Sequence, residues 1–302
     1  MAFNINTNEI YINSHITDVI KERFDYCLRS AGRNSPSGLI IEGPTGLGKT
    51  TTCIKEQTAI NQRYEAEGLP PPVYLVLSPT QPSTKDYYSE ILASLGDLSP
   101  YVGTLQQLRE RLYAQLKSKQ VKMLIFDEFQ QLVEKRSPKV VRQTLDDIKL
   151  IADKFKIACV FVGTSGVKEI ASNNEQAASR YANTITLSYM RFDSSKRQAI
   201  TRKFIVSFFK AHGLKGLNMD EYENTLRMYA ATNGDLRLFV HLLDDASGFL
   251  TDANNIKPVT LKALARSYGF LNNPVRKIRF NPFLVDMATI ENELKVTNLS
   301  IE

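Results

Sequence analysis

An α/β fold with a parallel sheet, followed by an all-helical domain, is what this 302-residue sequence predicts, and three observations predict it. Up to about residue 190, short apolar runs rich in β-branched residues alternate with segments of helical length, which is the pattern of strands buried in a sheet covered on both faces. One of those runs, Leu39-Ile40-Ile41, leads straight into Gly43-Pro44-Thr45-Gly46-Leu47-Gly48-Lys49-Thr50. This is the GxxxxGKT phosphate-binding pattern in its strand–loop–helix setting. From about residue 193 the period changes, and helical segments follow one another with no strand between them.

Taken in order, residues 14–31 place Ile16, Val19, Ile20, Phe24 and Cys27 at helical spacing, and 32–37 break the pattern. A helix is expected over 49–64, ended by Gly68-Leu69-Pro70-Pro71-Pro72, and a second strand over Val73–Leu77. Helices near 84–95 and 104–118 precede a buried strand over 121–126, which ends in Asp127-Glu128-Phe129. A helix over 137–155, a strand over Ile157–Val162 and a short fifth strand over Thr184–Leu187 complete the alternation. The segments 194–212, 219–231, 235–248 and 259–267 then read as helices. The stretch after Asn272 carries Asn273-Pro274, the basic residues Arg276, Lys277 and Arg279, and Asn281-Pro282-Phe283, and it is expected to be a flexible extension. The expected organisation is an N-terminal helical segment (1–36), a nucleotide-binding α/β domain (37–192), a helical lid domain (193–270) and a tail (271–302) that could dock a partner.

Composition narrows the function classes. With 43% apolar residues the chain can build a sizeable core, and no apolar run approaches the ~20 residues that span a bilayer. The N-terminal stretch lacks the basic-then-apolar layout of a secretion signal, so a cytoplasmic location is expected. Cys27, Cys53 and Cys159 form no CxxC pair, and there are only three histidines, which argues against a disulfide framework or structural zinc. A net charge of +6 is compatible with a polyanionic partner without requiring one.

The chemistry lies at strand ends. In the loop, glycines let backbone N–H groups turn toward phosphates, Lys49 reaches the β- and γ-phosphates, the Thr50 hydroxyl ligates magnesium and Thr51 lies near the α-phosphate. A nucleoside triphosphate is the ligand this predicts. Asp127 and Glu128 end a strand, and ligands of open α/β sheets bind off the carboxyl ends of strands. Asp127 suits magnesium, which wants hard oxygens, and Glu128 suits polarising an attacking water. Thr164, after Gly163, is either a hydroxyl directed at the γ-phosphate or a simple turn residue. Arg180 precedes the fifth strand and Arg237 follows Asn233-Gly234-Asp235; either could reach a nucleotide or be an ordinary solvated charge.

Together, GPTGLGKT, LIFDEF, VFVGT, the arginine before the fifth strand and NGDLR in a helical lid resemble the AAA+ class of P-loop ATPases. KMLIFDEFQQL, FVGTSGVKEIASNNEQAASRY and ATNGDLRLFVHLL are similar, more closely, to the TnsC/TniB-type transposition regulators of bacterial transposons, including those of CRISPR-associated elements. The resemblance covers roughly residues 35–250. It implies an ATPase using ATP and Mg2+, with Arg180 as an arginine finger acting on a neighbouring subunit's nucleotide and Arg237 as the lid arginine that senses the γ-phosphate. Thr164 matches a sensor position where many members carry Asn. It also implies polymerisation with ATP around double-stranded DNA as rings or helical filaments, recruitment of a transposase and, in some members, a target-selection protein. In the family, DNA is met by the loop and helix start between the second and third strands. Here that is Tyr101-Val102-Gly103-Thr104 with Gln106, Gln107, Arg109 and Arg111, where a plain solvated helix face is the alternative. Residues 276–279 are a second candidate for DNA, and Asn281-Pro282-Phe283 a candidate transposase-docking peptide. Two other readings stay open: an AAA+ helicase loader or replication initiator, and a protein-binding NTPase switch that uses no DNA.

Overall fold

The structure, a computed structural model, describes residues 15–80, 82–167, 181, 183–271 and 278–299. Its backbone divides into two compact units, one formed by His15–Thr45 and Lys49–Leu187, the other by Gly46–Gly48 and the chain from Ser188 onward.

The first unit runs α1 (His15–Ser30), β1 (Leu39–Glu42), α2 (Lys49–Ala66), β2 (Val73–Leu77), α3 (Thr84–Ser94), α4 (Leu105–Ser118), β3 (Met123–Asp127), α5 (Gln130–Lys135), α6 (Pro138–Phe155), β4 (Ala158–Gly163) and β5 (Asn183–Thr186). The strands form one sheet in the order β2-β3-β4-β1-β5, and every pairing is parallel. Alternation along each strand sends successive side chains to opposite faces. Ile40, Leu124, Phe126, Cys159 and Phe161 pack with Tyr87, Ile91, Leu108, Leu112 and Ile148 of α3, α4 and α6. Their neighbours Leu39, Ile41, Ile125, Val160 and Val162 are equally buried, and α1 and α2 lie against β1, β2 and β4. The parallel sheet is therefore covered on both faces, as the continuous apolar runs require.

The expected strand at 121–126 is shifted. The N–H groups of Lys122 and Met123 both donate to Pro72 O, so the ladder with β2 opens at Met123 opposite Val73 and closes at Asp127 opposite Leu77. Asp127 is thus the last residue of the strand rather than the first after it. The short helix α5 was not expected either.

Cys27, Cys53 and Cys159 form no disulfide, and all three are buried. Burial raises the Cys27 thiol to about 12, against a smaller opposing effect of Arg23. Cys53 is raised as well, first by burial and then by the charges of Asp127 and Glu56. Thiolate is the reactive form, so a thiol reagent at mild alkaline pH should label none of the three rapidly in the native protein and all three after denaturation. A fast native phase would contradict this packing.

The second unit contains α7 (Ser195–Ala211), α8 (Tyr222–Thr232), α9 (Leu236–Ser247), α10 (Leu261–Phe270) and α11 (Met287–Leu299). Phe208 is its hub, edge-on to Phe239 at 5.0 Å and to Phe249 at 5.7 Å between ring centroids. The expected flexible extension is, over 278–299, a folded part of this unit. Ile278, Phe283, Ile290 and Leu294 are buried, and Phe283 belongs to the same core as Phe208. Phe283 in Asn281-Pro282-Phe283 is therefore not free to dock elsewhere. Arg276 and Lys277 lie outside the described residues, while Arg279 is exposed.

The fastening is Arg227 of α8, a buried guanidinium. Its Nη1 donates to Pro282 O and, at 2.7 Å, to Val285 O, while Nη2 donates to Glu223 at 2.6 Å. Arg227→Ala leaves two carbonyls without their charged donor and should cost on the order of 2–4 kcal/mol. Thermal melting should fall by several degrees, and amide exchange should accelerate over 278–299 first. Unchanged protection there would remove Arg227 from this role.

Candidate nucleotide site

The carboxyl edge of the sheet carries the loops that follow β1, β3 and β4, and the strand order sets β4 between the other two. The loop 43–48 leaves β1, Glu128 and Phe129 leave β3, and Thr164 leaves β4. Gly43 N–H donates to Gly163 O at 3.1 Å, which ties the start of the first loop to the end of β4.

Gly46 and Gly48 have φ of 82° and 76°, left-handed values that side chains oppose and glycine accepts. The loop then enters α2 at Lys49, whose first turn has no intrahelical acceptors for its N–H groups and carries the positive end of the helix dipole. Lys49 is buried, and its Nζ donates to Gly43 O and Pro44 O, both at 2.7 Å. Thr45 is exposed, and Pro44, Leu47, Thr50 and Thr51 are half-buried. The Thr50 hydroxyl donates to Asp127 Oδ2 at 2.7 Å, linking the start of α2 to the end of β3.

Asp127 is buried, and its other oxygen accepts from Glu128 N–H at 2.9 Å. Burial pushes its carboxyl above the usual range, opposed by the Thr50 hydroxyl and the Glu128 N–H. A hydroxyl and a carboxylate meeting at one point fit magnesium, which takes one or two protein oxygens and completes its shell with phosphate and water. Among the described residues no group of three or more His, Cys, Asp and Glu side chains could hold a metal unaided.

Glu128 sits between two buried residues yet is itself exposed. Its φ is 52°, a left-handed conformation that costs a non-glycine residue roughly 1–2 kcal/mol. Phe129 holds the turn, because its ring stacks on Phe161 at 4.2 Å and its N–H donates to Val162 O at 2.9 Å. Glu128 therefore projects from a fixed base. Thr164 is half-buried, with its N–H donating to Gln130 Oε1 at 3.1 Å. Sequence reasoning missed Gln130, since its contacts depend on β3 lying beside β4.

Gly46 of the loop packs beside Asp235 and Arg237, a Cβ there standing 2.7 Å from Asp235 Oδ1 and 3.2 Å from Arg237 Cβ. Arg180 is outside the described residues. Arg237 is exposed on the first turn of α9, its N–H capped by Asp235 Oδ1 at 2.8 Å. Thr104 caps α4 in a reciprocal box with Gln107. Arg109 donates to Tyr88 and Asp147; Arg111 pairs with Asp97 at 3.1 Å and donates to Ser99 O and Val102 O. Arg111 thus braces the loop 97–104, while Arg109 ties α4 to α3 and α6.

A phosphate-binding loop and an acidic strand end on a β2-β3-β4-β1-β5 parallel sheet, with a separate helical unit after it, define an AAA+ fold. The solved structures similar to this chain agree. Aeropyrum pernix ORC2 in its ADP form matches with TM-score 0.64 at 13% identity over 98% of this chain and 89% of that one. A. pernix ORC1 in complex with DNA matches with TM-score 0.60 at 17% identity over 86% and 66%. Cdc6p from Pyrobaculum aerophilum matches with TM-score 0.59 at 16% over 96% and 82%. No curated protein matches the sequence. The family model described as bacterial TniB protein matches residues 4–192. The chain belongs to the TniB family, which makes it an AAA+ NTPase of transposition.

Proposed function

We propose that this protein is an ATP-hydrolysing regulator of transposition that oligomerises on double-stranded target DNA and recruits or activates a transposase, hydrolysis then releasing the assembly. The observation that carries the reading is the Thr50–Asp127 bond with Glu128 beside it, in a chain of the TniB family. Gly43 to Lys49 bind the phosphates of ATP with Thr51 nearby, and Thr50 and Asp127 would hold Mg2+, which would neutralise phosphate charge. Glu128 takes the proton of the attacking water. Arg180 completes a neighbouring subunit's site and Arg237 senses the γ-phosphate; Thr164 contributes at the end of β4.

ORC2 has been solved with ADPNP and ADP, and ORC1 with DNA, which supports nucleotide and DNA as ligands for this chain too. DNA contact is proposed at Thr104, Arg109 and Arg111, with the backbone of the braced loop 101–104. Such contacts to phosphate give affinity with little sequence preference.

Electron microscopy of the full chain with ATP and duplex DNA should show rings or filaments that are absent without nucleotide. DNA affinity should fall steeply as salt rises, by a power set by the number of phosphates neutralised. Monomers on DNA at saturating ATP would overturn the assembly reading.

A further inference from the structure

The Glu128 carboxylate is not left to find its own orientation. Gln130 Nε2 donates to Glu128 Oε2 at 2.5 Å, and Oε1 of the same carboxamide accepts from Thr164 N–H at 3.1 Å. One primary amide thus joins the acidic turn after β3 to the backbone at the end of β4. Its sense is fixed by chemistry: a flipped amide would set oxygen against carboxylate and NH2 against N–H.

Three features hold the bridge. Gln130 is 5% exposed, so its amide cannot turn into water in place of these partners. The turn beneath it is anchored by Phe129, through its stack on Phe161 and its bond to Val162 O. Gly163 makes the space, because a Cβ there would stand 2.2 Å from Gln130 Oε1. Side chain, turn and glycine are mutually dependent, and what they converge on is an exposed glutamate with several rotatable bonds. Left alone, such a side chain samples many rotamers, and catalysis by a misdirected base is slow.

We propose that Gln130 is a positioning residue for hydrolysis, holding the Glu128 carboxylate toward the attacking water and taking its own orientation from the Thr164 N–H. The proposal rests on the reading of Glu128 as the base of an ATP-hydrolysing site. It assigns to residue 164 a backbone function that does not depend on its hydroxyl.

The test compares wild type, Gln130→Leu and Gln130→Glu in steady-state ATP hydrolysis, binding of a fluorescent ATP analogue and thermal melting. Gln130→Leu removes both bonds at similar volume. Gln130→Glu keeps an acceptor for Thr164 N–H but sets a carboxylate against Glu128. Both should lower kcat by about tenfold to a hundredfold, with KM and analogue affinity within about threefold of wild type. Should Gln130→Leu fail to fold, Gln130→Glu decides. Near wild-type kcat in Gln130→Glu would overturn the proposal, as would a loss of kcat in Gln130→Leu matched by equal losses of affinity and melting temperature. Wild-type protein that binds the analogue without hydrolysing ATP would overturn the hydrolytic reading itself, and this proposal with it.

Discussion

Glu128→Gln is expected to bind ATP and assemble on DNA like the wild type while hydrolysing it about a hundredfold to ten-thousandfold more slowly, the range that general-base catalysis contributes. The substitution is isosteric, and an amide oxygen can still accept from Gln130, so what is removed is the ability to take a proton. Asp127 keeps its bonds to the Thr50 hydroxyl and to the residue-128 N–H, because the second is made by the backbone. Phosphate release in single turnover and sedimentation of DNA-bound assemblies together give the answer. Slow hydrolysis should appear as long-lived assemblies. Loss of assembly in step with loss of hydrolysis would remove Glu128 from the role of base.

Lys49→Ala should lose both properties. Lys49 is buried, with Nζ held between Gly43 O and Pro44 O, so the loop presents its ammonium from a dry and structured place. Removing one partner of a desolvated charge pair costs about 2–5 kcal/mol, which is roughly 30- to 5000-fold in the affinity for nucleotide. The alanine variant should fail to retain a fluorescent ATP analogue and fail to form ATP-dependent assemblies at any practical concentration. Its helical unit should melt as before. If Lys49→Ala and Glu128→Gln behave alike, binding and chemistry have been assigned to the wrong side chains.

Much of the first unit was legible because its strands are buried on both faces and therefore read as unbroken apolar runs. β2 falls on the expected residues and β1, β4 and β5 within one or two of them. β3 was misplaced by the burial of Val121: the side chain is covered before the residue joins the ladder, and composition cannot separate burial from pairing. The helix α5 was missed because its first residue follows Phe129, which makes no side-chain cap. α11 was missed because the partners that bury Ile290 and Leu294 lie some sixty residues earlier, on α8. Arg227 shows the same limit from the other side, since nothing local marks it as the anchor of a segment fifty-odd residues away.

The site divides in the same way. The glycine loop, Lys49, Thr50 and the Asp127-Glu128 pair stand out in the sequence because phosphate and magnesium chemistry would call for those residue types in that order, and the fold brings Thr50, Asp127 and Glu128 together. Gln130 does not stand out, because its bonds to Glu128 and Thr164 arise only where two strands distant in sequence become neighbours. Arg109 and Arg111 resemble free cations in the sequence, yet the fold engages both with its own acidic and carbonyl groups.

The left-handed φ of Glu128 sets two selective pressures against each other at one residue. Asparagine or glycine would occupy that backbone angle more comfortably, so a chain under selection for folding alone would drift toward either. On the proposal that Glu128 is the base of hydrolysis, keeping a carboxylate there holds turnover at the expense of stability. An inactive descendant of this protein, freed from hydrolysis but still required to assemble, would be expected to change first at residue 128.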